Sequence, residues 1–379
     1  MVKIEAFKAG SFIKALDYKA FNPTKINNAW SWDDRELTRL AELAALRIGQ
    51  LDAYSDLVPN IDHFIRMYVA KEATVSSRIE GTQTNMEEAL LKEKDIEPER
   101  KNDWKEVNNY VKAMNHSMDS LDKLPLSTRL LKQAHQILLT RASGEHKMPG
   151  EYRRNQNWIG GSNPGNAVFV PPPSDDVSDL MNDIETFLHN EDTGLPHLMK
   201  IALAHYQFET IHPFLDGNGR IGRLMITLYL VEKKILRKPV LYLSDYFEKN
   251  KPFYYDNLTR VRTHNDLLRW MKFFITGMIQ TGENAIAALK EILALKKDCE
   301  EQRIYKLGKK VSSAKLLLDH LYHQPILDAD EIATALKLSL VSSYKLIDDF
   351  TRLGILKEIT GFKRNRIFVF GEYFEIFKK

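Results

Sequence analysis

Apolar residues recur at helical spacing through most of this chain, with few alternating runs. Leu37, Leu40, Leu43, Leu46 and Ile48 predict an amphipathic helix to about Tyr54, opened by Ser31 as cap and by Asp33, Asp34 and Glu36 as early acids. Pro59 and Asn60 break it, and Ile61, Phe64, Ile65, Tyr68 and Val69 begin another. Residues 86–93, then Trp104, Val107, Val111 and Met114, continue as charged helices. Pro125-Leu126-Ser127 starts a helix whose apolar face is Leu130, Leu131, Ala134, Ile137 and Leu138, and His135 beside that face reads as a packed core histidine. Leu198, Ile201, Ala202, His205 and Phe208 predict a helix that Pro213 stops; a second runs from Arg220 through Leu224, Leu228 and Val231, and residues 267–278 form one more. Two β-prone runs around Ser162-Asn163-Pro164-Gly165-Asn166 read as a hairpin over residues 157–170. Residues up to about 30, with Pro23 and Asn27-Asn28, read as an irregular arm.

Toward the C-terminus, residues 285–310 read as a long connector helix rich in Lys and Glu. Three helices follow, over 314–321, 329–336 and 340–353, and then two short strands, 355–358 and 367–370, flank the basic turn Gly361-Phe362-Lys363-Arg364-Asn365. Three helices with a two-stranded wing describe a winged helix. Its recognition helix would carry Ser342, Ser343, Tyr344 and Lys345 but also Asp348 and Asp349, a mixed charge poorly suited to phosphate contacts. Protein docking or dimerisation is therefore favoured over DNA binding. The fold class expected is mainly α, divided into a helical region 1–125, a core unit 126–280, a connector 281–310 and a winged-helix unit 311–379.

The length of 379 residues exceeds one ordinary domain, and a net charge of +3 is too slight to imply nucleic acid or a membrane as a bulk partner. The single Cys299 excludes an internal disulfide framework. The start lacks a signal-peptide pattern and no stretch reaches the roughly 18 apolar residues of a membrane span, so a cytoplasmic protein is expected.

The stretch richest in chemistry is His212-Pro213-Phe214-Leu215-Asp216-Gly217-Asn218-Gly219-Arg220-Ile221-Gly222-Arg223. Its position leaves His212 at a helix end and puts glycines before the next helix, whose bare N–H groups suit a phosphate. Arg220 and Arg223, three apart in the first turn, can both reach that anion. Asp216 offers the carboxylate that a phosphate-bound Mg²⁺ needs, and His212 a base near neutral pH. Gly217 to Gly222 also matches G-x-G-x-x-G, but a dinucleotide fingerprint follows a strand and this loop follows a helix; the G-K-[ST] of a Walker A loop is absent. A plain turn between core helices would explain the glycines but not His, Asp, Asn and two Arg on one loop.

These residues, read as H-P-F-x-D-G-N-G-R-x-G-R, resemble the signature of the Fic (Fido) family of AMP-transferring enzymes at every fixed position. The resemblance implies that His212 is the catalytic base, that Asp216 holds Mg²⁺ (or Mn²⁺), and that ATP meets His212, Gly217, Asn218, Gly219, Arg220, Ile221, Gly222 and Arg223. Ser76 and Glu80, four apart and followed by Gly81, would by themselves pass as a solvated helix end. Beside the signature, Ser76, Glu80 and Gly81 resemble the family's inhibitory motif, in which the Glu80 carboxylate would occupy the Arg223 guanidinium meant for the terminal phosphate. Position after the signature implies that Tyr255, less directly Tyr254, touches the nucleotide base or ribose. The 157–170 hairpin, around Gly160 and Gly161, would be a flap on which a protein substrate docks by strand addition. Three activities stay open: AMP transfer to a protein Ser, Thr or Tyr hydroxyl, including the chain's own, with a homodimer possible; removal of AMP assisted by Glu80; and a nucleotide-responsive transcription regulator, against which the intact His212 argues.

Overall fold

Asp34, not Ser31, caps the first long helix: its carboxylate accepts from the Leu37 N–H and opens α1 (Arg35–Leu57). In the computed structural model, which describes residues 1–378 apart from 16, 59, 141, 143, 145 and 362–364, α1 is followed by α2 (Ile61–Ile79), α3 (Met86–Leu90), α4 (Lys101–Ser120), α5 (Thr128–Leu139) and α6 (Val177–His189). Pro59, the expected breaker, lies outside the described residues; Asn60 at φ 56° starts α2. Ser127 caps α5 as its position predicts.

The N-terminal 31 residues are not the irregular arm expected. Val2–Lys3 (β1) pairs in parallel with Trp30–Ser31 (β4), and Gly10–Lys14 (β2) forms an antiparallel hairpin with Lys19–Pro23 (β3). Pro23 ends its strand opposite Gly10, where a missing N–H costs least. The arm is tied down through Asp183 of α6, which accepts from the N–H groups of Ile26 and Asn27.

At the centre stand α7 (His197–Ile211) and α8 (Asn218–Glu232). Every residue of α7 from Leu198 to Ile211 is buried, as are most of α8, because both helices are walled on all sides, as central helices are. The short α9 (Ser244–Lys249) and α10 (Lys251–His264) follow, then α11 (Leu267–Asp298). Trp270 of α11 donates from its indole N–H to the Ala202 carbonyl of α7 at 2.9 Å. Helix α11 runs unbroken through residue 280, so no chain break separates core from connector there. The connector helix expected to 310 instead gives way to a π turn at Cys299–Arg303 and a 3-10 stretch, Ile304–Lys310, kinked at Gly308 with φ 56°.

The C-terminal unit has the order α12 (Val311–His323), β5 (Ile326–Asp328), α13 (Ala329–Leu336), α14 (Leu340–Arg352), β6 (Leu356–Glu358), β7 (Ile367–Phe370), with an antiparallel sheet ordered β5-β7-β6. Phe362 to Arg364 of the expected basic turn lie outside the described residues. An unforeseen helix, α15 (Gly371–Lys378), follows. Its eight residues are too few to hold a helix alone, and it is held by burial of Tyr373, Phe374, Ile376 and Phe377. Phe377 meets Tyr68 of α2 at 5.1 Å between ring centroids, and Phe64 of α2 meets both Tyr373 and Tyr322. The C-terminal unit thus sits on the helix that carries Ser76 and Glu80. Among the described residues, no helix is long and apolar enough to cross a membrane.

Candidate active site

Helix α7 ends at Ile211, and His212 takes a left-handed conformation, φ 50° and ψ 61°, which a residue with a β-carbon holds only when its surroundings enforce it. Arg153 supplies much of that enforcement. Buried in the loop before residues 157–170, it donates from Nε to the His212 carbonyl at 3.0 Å and from Nη2 to the carbonyls of Pro172 and Ile211, while its backbone N–H reaches the Pro213 carbonyl at 2.9 Å. Asn157 adds side-chain bonds to the His212 and Phe214 carbonyls.

Two further side chains fix the turn. The Asn218 amide accepts from the Phe214 N–H and donates to the Phe214 carbonyl, both at 2.8 Å, so this side chain staples the loop and leaves only its backbone N–H for an anion. His135 is the packed histidine expected: its ring stacks 3.8 Å from that of Phe214, Nδ1 accepts from the Gly150 N–H, and Nε2 bonds the Asp216 carbonyl. Accepting at Nδ1 fixes the proton of the neutral ring on Nε2, and burial pushes its pKa down to about 4.

Gly217, left-handed at φ 74°, is the N-cap of α8, which starts at Asn218 rather than Arg220. The first N–H groups of α8 have no partner within the helix, the arrangement that favours an anion at a helix N-terminus. A β-carbon on Gly219 would stand 2.2 Å from Glu80 Oε1, so a side chain here would displace the Glu80 carboxylate from its present place. Ile221 is core, and Gly222 faces α7, where its carbonyl bonds His205 Nδ1, so both shape the floor behind the site.

Arg223 donates from Nε to Ser76 Oγ at 2.8 Å, and from Nη2 to the Ser76 carbonyl at 2.9 Å and to Glu80 Oε1 at 2.6 Å. Glu80 stands just past the end of α2, and Gly81, at φ 113°, turns the chain away. The Glu80 side chain is 35% exposed against 2% for Arg223. Burial works to raise the Glu80 pKa, but the guanidinium of Arg223, with Arg220 and His212 behind it, holds the carboxyl below its ordinary range. Burial likewise opposes the charge on Arg223, and Glu80 more than restores it. Arg220 pairs with Glu106 of α4 at 3.1 Å and stands 3.5 Å from Asp216.

The His212 imidazole is pushed down to about 4, first by burial and then by the charges of Arg262 and Arg153, with Glu80 opposing. Its Nδ1 is buried with no hydrogen-bond partner among the described residues. Arg262 of α10 caps the end of α7 through Thr210 Oγ1 and the Glu209 carbonyl, and its guanidinium lies 3.9 Å over the Phe169 ring. Phe169 belongs to the expected hairpin, which is reduced to one antiparallel bridge, Ile159 to Phe169. Gly160 and Gly161 are left-handed, packed against Val168 and Asn166, and an Asn163–Asn166 capping box closes the turn, so the ladder ends after one bridge. The backbone near that bridge is already engaged: the Val170 carbonyl accepts from the Phe21 N–H of β3.

Tyr254 is core, its hydroxyl bonded to His205 Nε2 at 2.9 Å. Tyr255 is 43% exposed, and its phenol, raised to about 12 by burial and then by Glu80, lies within electrostatic reach of Arg223 and Glu209. Asp216 is 39% exposed, with Oδ1 accepting from the Gly217 N–H. Among the described residues no cluster of three or more metal-binding side chains occurs. A lone carboxylate beside a phosphate cradle still fits Mg²⁺, which draws its other ligands from phosphate and water. Arg153, Arg262, Glu106 and Glu209 escaped the sequence reading, since none stands at a recurring spacing from the signature.

Residues 38–119 match the Fic/DOC family N-terminal profile and residues 125–230 the Fic/DOC family profile. The protein adenylyltransferase Fic of Aedes aegypti is 37% identical over 125 residues, covering 33% of this chain and 22% of that protein; that of Drosophila yakuba is 42% identical over 83 residues, covering 22% and 15%. The aligned part of this chain thus spans about a fifth or less of the length of these relatives. Among solved structures, a Fic family protein from Desulfovibrio desulfuricans G20 superposes with a TM-score of 0.57 at 20% identity, over 91% of this chain and 98% of that one. Fic-1 (residues 134–508) from C. elegans gives 0.52 at 19%, over 69% and 73%.

Proposed function

Since the chain belongs to the Fic/DOC family, we propose that it is a protein adenylyltransferase moving AMP from ATP to a Ser, Thr or Tyr hydroxyl of a protein, itself included, and that Glu80 restrains it. The observation that carries this reading is a neutral, buried imidazole, His212, set beside the free N–H groups that open α8. In the reaction the hydroxyl oxygen attacks the α-phosphorus, its proton passes to the His212 ring, and the bond from the α-phosphorus to the bridging oxygen breaks to release pyrophosphate. The α8 N–H groups, Arg220 and Arg223 stabilise charge growing on the phosphates. Asp216 would hold Mg²⁺ (or Mn²⁺), which would supply positive charge to neutralise the phosphates. Tyr255 is the wall for the base or ribose, and residues 157–170, with Val168 exposed, are the docking edge for the protein substrate.

The Glu80 bond occupies Arg223 Nη2, so a nucleotide entering the native chain finds the guanidinium for its terminal phosphate engaged. A second reading, removal of AMP, has one observation in its favour: the partly exposed Glu80 carboxylate faces the same loop and could orient water. The C-terminal unit is read as a winged helix serving protein contacts, since α14 exposes Leu340, Val341 and Tyr344. Purified protein with α-labelled ATP tests the assignment. Label on protein, strengthened in Glu80→Gly, supports transfer; release of AMP from a previously modified protein supports the second reading; neither outcome removes the enzymatic assignment.

A further inference from the structure

Glu209 lies on α7 one turn before His212 and is buried, and its Oε1 has no hydrogen-bond partner among the described residues. That oxygen points at α8, where a β-carbon on Gly222 would stand 2.5 Å away; the glycine leaves the carboxyl its space. The backbone beneath is fixed, because the Glu209 carbonyl accepts from Arg262 Nη2 at 3.1 Å.

Charged and titratable groups face this carboxyl from each neighbouring helix. On α7 they are His205 and His212, on α8 Arg223, and on α10 Arg262, Tyr254 and Tyr255; Glu80 stands at the end of α2. Burial lifts Glu209 to about 7, with Arg223 and Arg262 drawing it down and Glu80 pushing it up. Arg223 therefore has one carboxyl bonded to it, that of Glu80, while Glu209 bears on its charge from beyond ion-pair distance.

We propose that Glu209 is a positioning residue for the nucleotide: an enclosed carboxyl behind Gly222, one turn from His212, whose negative charge opposes the terminal phosphate at Arg223 once Glu80 withdraws, so that nucleotide capture draws a proton onto Glu209. The proposal rests on the adenylyl-transfer reading for its site and goes beyond it in naming what sets the affinity for ATP. A triphosphate brings negative charge beside an enclosed carboxyl, and two like charges at that depth are relieved by a proton taken from water. At high pH the ionised Glu209 opposes the phosphate; at low pH its neutral acid leaves Arg223 free.

The test uses the full chain carrying Glu80→Gly, alone and with Glu209→Gln. Loss of Glu80 removes an upward push on Glu209, so the transition moves below its place in the native chain, and the pH range should extend from about 5.5 to 8. In Glu80→Gly the KM for ATP should rise with pH, by as much as about tenfold per unit above the carboxyl pKa if the ionised form excludes ATP. Adding Glu209→Gln should keep KM at its low-pH value, with the effect carried by KM rather than kcat; the ionisation of ATP is common to both proteins and cancels in the ratio. Calorimetry of ATP binding in two buffers of different ionisation enthalpy should show net proton uptake by Glu80→Gly, whereas ATP itself can only release protons. Parallel KM profiles, or no proton uptake, overturn the proposal. If Glu209→Gln does not fold, the calorimetry is repeated on Glu80→Gly carrying His212→Ala: proton uptake kept without the imidazole supports the carboxyl, and uptake lost with it overturns the proposal. If ATP binds with proton uptake but no label reaches protein, the transfer reading fails and the role of Glu209 stands.

Discussion

His212 is held in two respects at once, its backbone by Arg153 and its charge state by burial. A base with a depressed pKa is ready to accept a proton wherever the pH lies above that value, here about 4. With ATP saturating, kcat of the Glu80→Gly protein should therefore stay flat from about pH 8 down to about pH 5 and fall only on the acid side. A descent already under way between pH 7 and 6 would show an imidazole with an ordinary pKa. His212→Ala should lower transfer by roughly 10²- to 10⁴-fold, the usual share of general base catalysis, read as label incorporated per minute. Glu80 follows the same direction in pH: a carboxyl whose pKa is depressed keeps its ion pair above that pKa and loses it only as pH falls through it. Mild acid should thus leave the restraint in place, while Glu80→Gly should raise self-labelling by roughly 5- to 150-fold, the usual range of such couplings. At this scale the signature was legible because its residue types are costly to place together by chance, whereas Ser76, Glu80 and Gly81 were legible only beside it. Arg153 was not legible, since a single arginine in an irregular segment gives no periodic signal of the carbonyls it will meet.

At the scale of elements, α2 does more than bring Ser76 to Arg223. Its last turn grips Arg223; one turn earlier, buried Glu72 accepts from the hydroxyls of Tyr110 on α4 and Ser244 on α9; its first turns seat the C-terminal unit through Phe64 and Tyr68. The loop between α7 and α8 is equally constrained, and its staple can be tested directly. Asn218→Ala removes two buried bonds to Phe214 and should cost about 1–3 kcal/mol in urea unfolding, together with a loss of transfer. Wild-type stability in that variant would show that the turn is held elsewhere. Long helices announced themselves by their spacing, whereas the hairpin of residues 157–170 did not survive as drawn. Its β-prone residues are real, but two left-handed glycines and the capping box end the pairing after one bridge.

At the scale of the molecule, the C-terminal unit rests against α2. Phe64→Ala should destabilise the chain by about 3–5 kcal/mol, the cost of emptying a buried aromatic site. If the seat helps hold α2 in register, the same variant should also raise self-labelling with Glu80 intact; stability lost without a change in labelling would separate the two roles. Helix α14 carries Asp349 in ion pairs with Lys310 and Arg352, and its exposed side chains include Leu340 and Val341. Duplex DNA should accordingly bind weakly and without sequence preference in a gel-shift series over salt.

Local pattern alone determined that the chain is mainly helical, that a glycine loop ends one helix and opens the next, and that His212, Asp216, Arg220 and Arg223 share that loop, because each follows from neighbours within a few residues. Tertiary structure decided which partners those groups meet: Glu80 from about 140 positions away on Arg223, Arg153 and Arg262 around the end of α7, Glu209 enclosed behind Gly222. It also decided that α15 forms at all, since eight residues become helical only when their aromatic face has somewhere to be buried. Spacing along a chain fixes direction on one helix, but burial and charge depend on what other helices bring to the same place.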